Sequence, residues 1–280
     1  MTILAAGKVN YRARIERAGL LASRHTFARE VLLFYEVLAA FQKDLLERLP
    51  KEWGRQPVVR PGGLIRAELN LPILLKPFEA FLTLVESRAP GPLAAEARLV
   101  KREGETAWST TLEEFWMTGL QKSPPRNETG EPLKEFLARA FLQPYAEFVA
   151  SAMLPAALPV TVYRCPRCNS LPLLGILRQE GDGGKRFLHC SFCSQEWEFR
   201  RILCAHCGED KEQKLAVYVA EQFPHIRVEA CETCKYFLPT IDLTKDGNAI
   251  PIVDDLAAIP LSLWAQQNGY TRIQGNLLGT

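Results

Sequence analysis

All eight cysteines of this 280-residue chain fall between Cys165 and Cys234, in four C-x-x-C pairs: Cys165/Cys168, Cys190/Cys193, Cys204/Cys207 and Cys231/Cys234. Two residues between cysteines make a tight turn that aims both sulfurs at one point. Two such turns complete a tetrahedral four-sulfur shell around a metal ion. The inner amides of each turn can donate to the sulfurs and spread the thiolate charge. The residue after the second cysteine commonly takes a positive φ, which Gly208 and Asn169 tolerate and which Ser194 and Lys235 adopt with more strain. Disulfides do not suit a chain expected in the reducing cytosol. A redox dithiol needs one C-x-x-C, not four at paired spacing. The eight cysteines are therefore the candidate metal ligands.

Twenty-one residues separate the first pair from the second, 10 the second from the third, and 23 the third from the fourth. Sequential pairing puts Cys165, Cys168, Cys190 and Cys193 on one ion and Cys204, Cys207, Cys231 and Cys234 on another. A cross-brace, first with third and second with fourth, is open on counting alone. The intervening sequence favours the sequential arrangement. Leu173–Leu177 and Arg186–Cys190 read as strands around Gly181, Asp182, Gly183 and Gly184, a hairpin turn signal. Leu215–Glu221 and His225–Cys231 repeat that plan around Gln222, Phe223 and Pro224. The result is a duplicated knuckle–hairpin–knuckle unit, the ribbon geometry shared by rubredoxins and zinc ribbons. Four thiolates suit iron and zinc alike. His189 and His206 adjoin the cysteines but are surplus to complete shells, and His25 and His225 read as structural.

Residues 1–152 read as helical. Val31, Phe34, Leu38, Phe41, Leu45 and Leu49 recur at close to helical spacing, with Pro50 expected to stop that helix. Leu74–Val85 continues the pattern, and Leu93–Arg102 is a shorter helix after Pro92. Thr111 and Glu114 make a capping box ahead of Phe115, Trp116 and Leu120. Pro132 opens a helix in which Pro144 is expected to produce a kink. These stripes read as core rather than as a cofactor site. Gly54–Gly63 and Gln121–Gly130 read as linkers, and Pro155–Pro159 as a hinge. Beyond the last cysteine, Phe237–Leu243 reads as a strand. Asp254–Gln267 reads as a helix bent at Pro260, with Asp254 and Asp255 capping it rather than catalysing.

The expected fold class is α+β: an N-terminal helical domain (1–158), then two rubredoxin-like or zinc-ribbon-like modules (159–202 and 203–280), the second ending in a helix. With 47% hydrophobic and 24% charged residues the chain can bury a core, which excludes a disordered or collagen-like polymer. The start lacks the apolar stretch of a secretory signal, and no window is long enough to span a membrane, so the expected location is cytoplasmic. Residues 1–164 carry 22 Lys+Arg against 18 Asp+Glu, and residues 165–280 carry 12 against 14. Two loaded four-thiolate sites would bring the tail to about −6. Such a contrast suits intramolecular docking or a homodimer, although balanced charge speaks first to solubility. Nucleic acid is not expected as a partner. No dinucleotide, P-loop, zinc-protease or serine-hydrolase motif occurs, and closed four-sulfur shells leave no open position for a substrate. An enzyme is therefore not expected.

The stretches YRCPRCNSLPLLGIL (163–177), FLHCSFCSQEWEFRRILCAHCG (187–208), VEACETCKYFLPTIDLTKDG (228–247) and VDDLAAIPLSLWAQQNGY (253–270) resemble the formate dehydrogenase accessory protein FdhE family. The resemblance includes Trp197–Arg201 and Ile241–Thr244 and all four cysteine pairs; in the front it is confined to size, helix content and FLQPYAEFVA (141–150). It implies a cytoplasmic maturation factor that contacts the catalytic subunit of respiratory formate dehydrogenase. It also implies rubredoxin-type iron on the eight cysteines, two ions in all, with zinc as the substitute. The alternative is a zinc-ribbon adaptor for nucleic acid or another protein machine.

Overall fold

A computed structural model describes residues 9–54, 57, 63–123, 132–153, 159–180 and 183–276. The apolar stripes of the front form six helices: α1 (Tyr11–Arg24), α2 (Arg29–Trp53), α3 (Leu75–Arg88), α4 (Gly91–Glu103), α5 (Glu105–Thr118) and α6 (Leu133–Ser151). Asn10 caps α1, its side chain accepting from the Ala13 amide at 3.0 Å. Helix α6 is buried on every side from Phe136 to Ala150, including the polar Arg139, Gln143 and Glu147, and it is the axis of this half.

Two expectations are corrected here. Pro50 does not end α2, which runs on to Trp53 and stops at Gly54, where φ is 70°. The Trp53 ring stacks on Tyr145 at 5.3 Å, and that packing carries the last turn past the proline. Thr111 and Glu114 do not open a helix, because α5 already begins at Glu105 after the left-handed Gly104. Trp108, buried in its first turns, donates Nε1 to the Val100 carbonyl of α4 at 2.7 Å and fixes that earlier start. Pro144 lies inside α6, which continues as helix to Ser151. Most of the two linkers, most of the Pro155–Pro159 hinge and the Gly181–Asp182 turn lie outside the described residues.

The tail folds as the duplicated spacing predicts. Strands β1 (Pro172–Glu180), β2 (Gly183–Cys190) and β3 (Glu196–Glu198) form one antiparallel set. Strands β4 (Leu215–Val219), β5 (Ile226–Cys231) and β6 (Tyr236–Asp242) form a second. The two sets join along a parallel β1–β6 pairing, giving the order β3-β2-β1-β6-β5-β4. A short β7 (Thr271–Arg272) pairs in parallel with the start of β6. The expected C-terminal helix is two helices, α7 (Pro251–Ala257) and α8 (Ile259–Gln267). Pro260 brings no amide to the helical ladder, so the chain breaks at Ala258 rather than bending.

One hydrophobic core runs through helices and sheet, from Tyr11 through Phe141 to Phe192, Leu238 and Ile273. Buried polar groups cross it. Tyr11 and Ser194 both donate to Glu147 of α6 at 2.6 Å, and Arg14 of α1 pairs with the same carboxylate. Arg17 reaches Asp254 and Asp246 at 2.5 and 2.9 Å, and Arg272 reaches Asp255 at 2.8 Å. Asp254 Oδ2 also accepts from the Ile250 amide that opens α7, at 2.8 Å.

The β1–β6 joint depends on Gly175, which pairs with Thr240. A Cβ there would fall inside contact distance of the Thr240 hydroxyl and 3.2 Å from its Cγ2. Gly175→Ala is expected to cost about 1–3 kcal/mol of stability by overpacking, seen as a lower denaturant midpoint. A companion Thr240→Ala should restore most of the loss. An unchanged midpoint in the single variant would show that the two strand sets do not meet at this residue.

Candidate metal centres

Each knuckle is built in the same way. The chain turns back on itself between the cysteines, and the next residue is left-handed: Asn169 (φ 61°), Ser194 (54°), Gly208 (77°) and Lys235 (61°). That conformation returns the amide to the first cysteine's carbonyl, as in Asn169 N to Cys165 O at 2.9 Å and Lys235 N to Cys231 O at 2.8 Å. Inner amides point at sulfur. Phe192 and Cys193 donate to Cys190 Sγ at 3.4 and 3.5 Å, and His206 and Cys207 to Cys204 Sγ at 3.4 and 3.5 Å. Ser194 and Lys235 take the less tolerant backbone and use their side chains elsewhere. Ser194 bonds Glu147, and Lys235 pairs with Glu232 at 2.5 Å.

The sulfurs gather in sequential sets. Cys165, Cys168, Cys190 and Cys193 form one cluster and Cys204, Cys207, Cys231 and Cys234 the other, with all sulfurs of a set within 4.8 Å of one another. The cross-brace does not occur. Between knuckles, Sγ–Sγ separations are 3.5 Å (Cys165–Cys193) and 3.3 Å (Cys168–Cys190) in the first cluster. In the second they are 3.8 Å (Cys204–Cys234) and 3.7 Å (Cys207–Cys231). A tetrahedron with metal–sulfur bonds of about 2.3 Å has edges of about 3.8 Å, so both donor sets fit one ion each.

The two clusters differ in their surroundings. In the first, all four cysteines are at most 3% exposed. Phe192 caps this cluster edge-on to Phe115 and Trp116. Arg66 lies over the Phe192 ring and donates to the Cys168 carbonyl and Ser170 hydroxyl at 2.7 Å. It also donates to the carbonyls of Trp116 and Gly119. Arg167 donates to the carbonyls of Ala150 and Met153. In the second cluster Cys207 is exposed and Cys234 half-buried. Its cover is the His206 ring, stacked on Tyr236 at 3.8 Å.

The thiols titrate unequally. Burial pushes Cys165 and Cys193 well up. Burial also opposes ionisation of Cys168, but hydrogen bonds from the neighbouring thiols and Ser170 outweigh it and hold that thiol well below its usual range. In the second cluster the Cys234 hydrogen bond draws Cys204 down to about 5, while burial pushes Cys207 up to about 11. Metal binding would release the protons that remain on the thiols as the shell closes.

Among the histidines, His189 is buried with Nδ1 3.5 Å from Glu196. Although burial opposes it, His189 and Arg178 pull the Glu196 carboxyl down to about 2. His225 Nε2 bonds Asp254 at 2.9 Å, and His25 packs on Phe27 and Phe223. His225, Asp246 and Asp254 converge as a third cluster of possible ligands, but Arg17 bridges both carboxylates there and makes it an ion-pair network. Sequence spacing gave no sign of Arg66, because an isolated arginine between the Gly54–Gly63 linker and the next helix carries no periodic signal.

Comparison with known proteins matches residues 164–201 to the FdhE central domain and residues 202–278 to the FdhE C-terminal domain. A protein FdhE homolog of Proteus mirabilis is 26% identical over 271 residues, covering 96% of this chain and 87% of the relative. One from Aquifex aeolicus is 29% identical, covering 60% of each chain, and one from Pseudomonas aeruginosa is 37% identical, covering 41% of this chain and 38% of the relative. In these last two the matched stretch is therefore under two thirds of the relative's length. The crystal structure of the FdhE protein from Pseudomonas aeruginosa superposes with a TM-score of 0.71 at 24% identity, over 99% of both chains, so the fold is shared from end to end. Residues 164–278 are thus similar in sequence to the FdhE central and C-terminal domains, and the whole chain is similar to the Proteus mirabilis FdhE homolog and shares the fold of the FdhE crystal structure.

Proposed function

We propose that the chain is an accessory factor in the maturation of respiratory formate dehydrogenase, acting in the cytoplasm on the enzyme's catalytic subunit rather than as an enzyme itself. The observation that carries this reading is that residues 164–278 match the FdhE central and C-terminal domains while gathering all eight cysteines into two closed four-sulfur sets. A saturated shell has no position for a substrate, so the useful surface is one that meets another protein. We read the chain as three units, 1–158, 159–202 and 203–280, the last two each a rubredoxin-like module.

In this reading Cys165, Cys168, Cys190 and Cys193 hold one ion, and Cys204, Cys207, Cys231 and Cys234 hold the other. The ion is iron, which would supply a one-electron couple; zinc fits the same donors and would supply structure alone. The chain's own residues set the difference between the centres. Inner amides donate to sulfur at both centres, and at the first Arg66 and Arg167 offset negative charge as well.

Elemental analysis of anaerobically prepared protein is expected to give two metal ions per chain, with a visible thiolate-to-iron band on oxidation. Cys168→Ser and Cys207→Ser should each leave one ion. Cys168→Ser should also lower the unfolding midpoint of the helices, since its cluster lies in the shared core, while Cys207→Ser should not. Loss of both ions from either variant would contradict two separate sites.

Removing the gene should lower formate dehydrogenase activity at least tenfold with the enzyme's transcript unchanged. Tagged chain should retain the catalytic subunit in a pull-down from the same cells. Full enzyme activity in the deletion strain would sink the maturation reading.

A further inference from the structure

The two ends of the sheet are finished differently. At one edge, β3 is Glu-Trp-Glu, and Glu196 and Glu198 guard it with charge. At the other, β4 reads Leu-Ala-Val-Tyr-Val, with no charge and no proline. An apolar edge strand without such protection is a template for another strand. No strand pairs with the outer side of β4 among the described residues. Val217 and Val219 are 53% and 64% exposed there, although both are β-branched and suited to a paired, covered position.

Beside this edge lies a cavity of about 480 Å3, formed between the 201–205 segment and the face of β4, β5 and β6. Its apolar walls include Ile202, Leu203, Val217 and Leu238, and Cys204 and Cys231 of the second cluster also line it. Three guanidinium groups border it, those of Arg186, Arg201 and Arg227. Arg186 and Arg227 both spend themselves on Glu229, at 2.5 and 2.6 Å. Arg186 is 3% exposed, and its Nε has no acceptor among the described residues. Arg201 donates to the Gly184 carbonyl at 3.3 Å and has no carboxylate partner among the described residues. Glu212 also lines the cavity, so three guanidinium groups face two carboxylates and the border carries one positive charge in excess, and a second copy of β4 brings no carboxylate within its five residues.

We propose that β4 and this cavity receive an extended, acidic and apolar segment of a partner protein. The segment adds to the sheet as a strand, with an apolar side chain in the cavity and a carboxylate on Arg201. This deepens the maturation reading and rests on it, since the partner is the protein on which the chain acts. Main-chain bonds along β4 supply affinity, and the cavity and guanidinium groups supply selection. The seated side chain would lie against Cys204 and Cys231, so docking covers one flank of the more exposed cluster.

The test uses the purified full chain with both metals and two fluorescein-labelled hexapeptides, one alternating Val and Glu, the other alternating Val and Lys. Fluorescence anisotropy at physiological salt should show the Val–Glu peptide binding at least tenfold more tightly. Val219→Pro, which removes an edge amide, should weaken that binding at least tenfold. Val217→Glu, which sets a like charge on an exposed position, should do the same at unchanged metal content. Arg201→Glu should abolish the preference between the peptides. Equal binding of both peptides, no binding, or binding indifferent to Val217→Glu and Val219→Pro would overturn the proposal. So would a sedimentation result in which wild-type chains pair and the variants do not, since the occupant would then be a second copy. The assay contains no formate dehydrogenase, so its failure leaves the deletion experiment standing as a separate judgement on the maturation reading.

Discussion

Placing four cysteine sulfurs in a dry core sets the terms for much of the rest of the molecule. A four-thiolate shell around a divalent ion carries two negative charges, and burying charge is costly unless countercharge is buried with it. Arg66 and Arg167 are the cations nearest the first cluster, and both are over nine-tenths buried. Each guanidinium must in turn satisfy its donors, and it does so on main-chain carbonyls of the helical half: Trp116 and Gly119 for Arg66, Ala150 and Met153 for Arg167. Charge compensation and the docking of the two halves are therefore made by the same side chains.

The pattern extends beyond the cluster. Arg14, Arg17, Arg139 and Arg272 are also buried, and each spans a sequence separation of more than ninety residues in at least one bond. Arginine suits this work because its planar fork of donors reaches several acceptors at once. Removing a partner from such a network leaves a buried charge uncompensated, which is far more damaging than losing a surface pair. The helices and the cysteine-bearing sheet consequently behave as one packed body around Phe141, Phe192 and Leu238, although the cysteines are confined to one part of the chain.

What could be read from the chain beforehand was what is local. The C-x-x-C turns, the left-handed residues after them and the hairpins between them each have a signal within a few residues, and sequential clustering followed from the hairpins. Pro50 misled because propensity is judged without the Trp53–Tyr145 stack that overrides it. Arg167 and Phe192 were the reverse case. Each lies between the two cysteines of a turn, where nothing local marks a buried position, yet Phe192 is wholly buried and Arg167 nearly so. The buried arginines and the parallel β1–β6 joint left no trace, since arginine is ordinarily a surface residue and a pairing between residues 175 and 240 has no periodicity to reveal it.

The unequal exposure of the two clusters has a kinetic side. Among the described residues Cys165, Cys168, Cys190 and Cys193 lie in the packed core, so exchange of an ion held there would need that core to open. An ion at the second cluster meets water at Cys207 and can be lost, replaced or scavenged while the fold stays closed. The first position would preserve whichever metal was at hand when the chain folded, and the second would follow the supply of the moment.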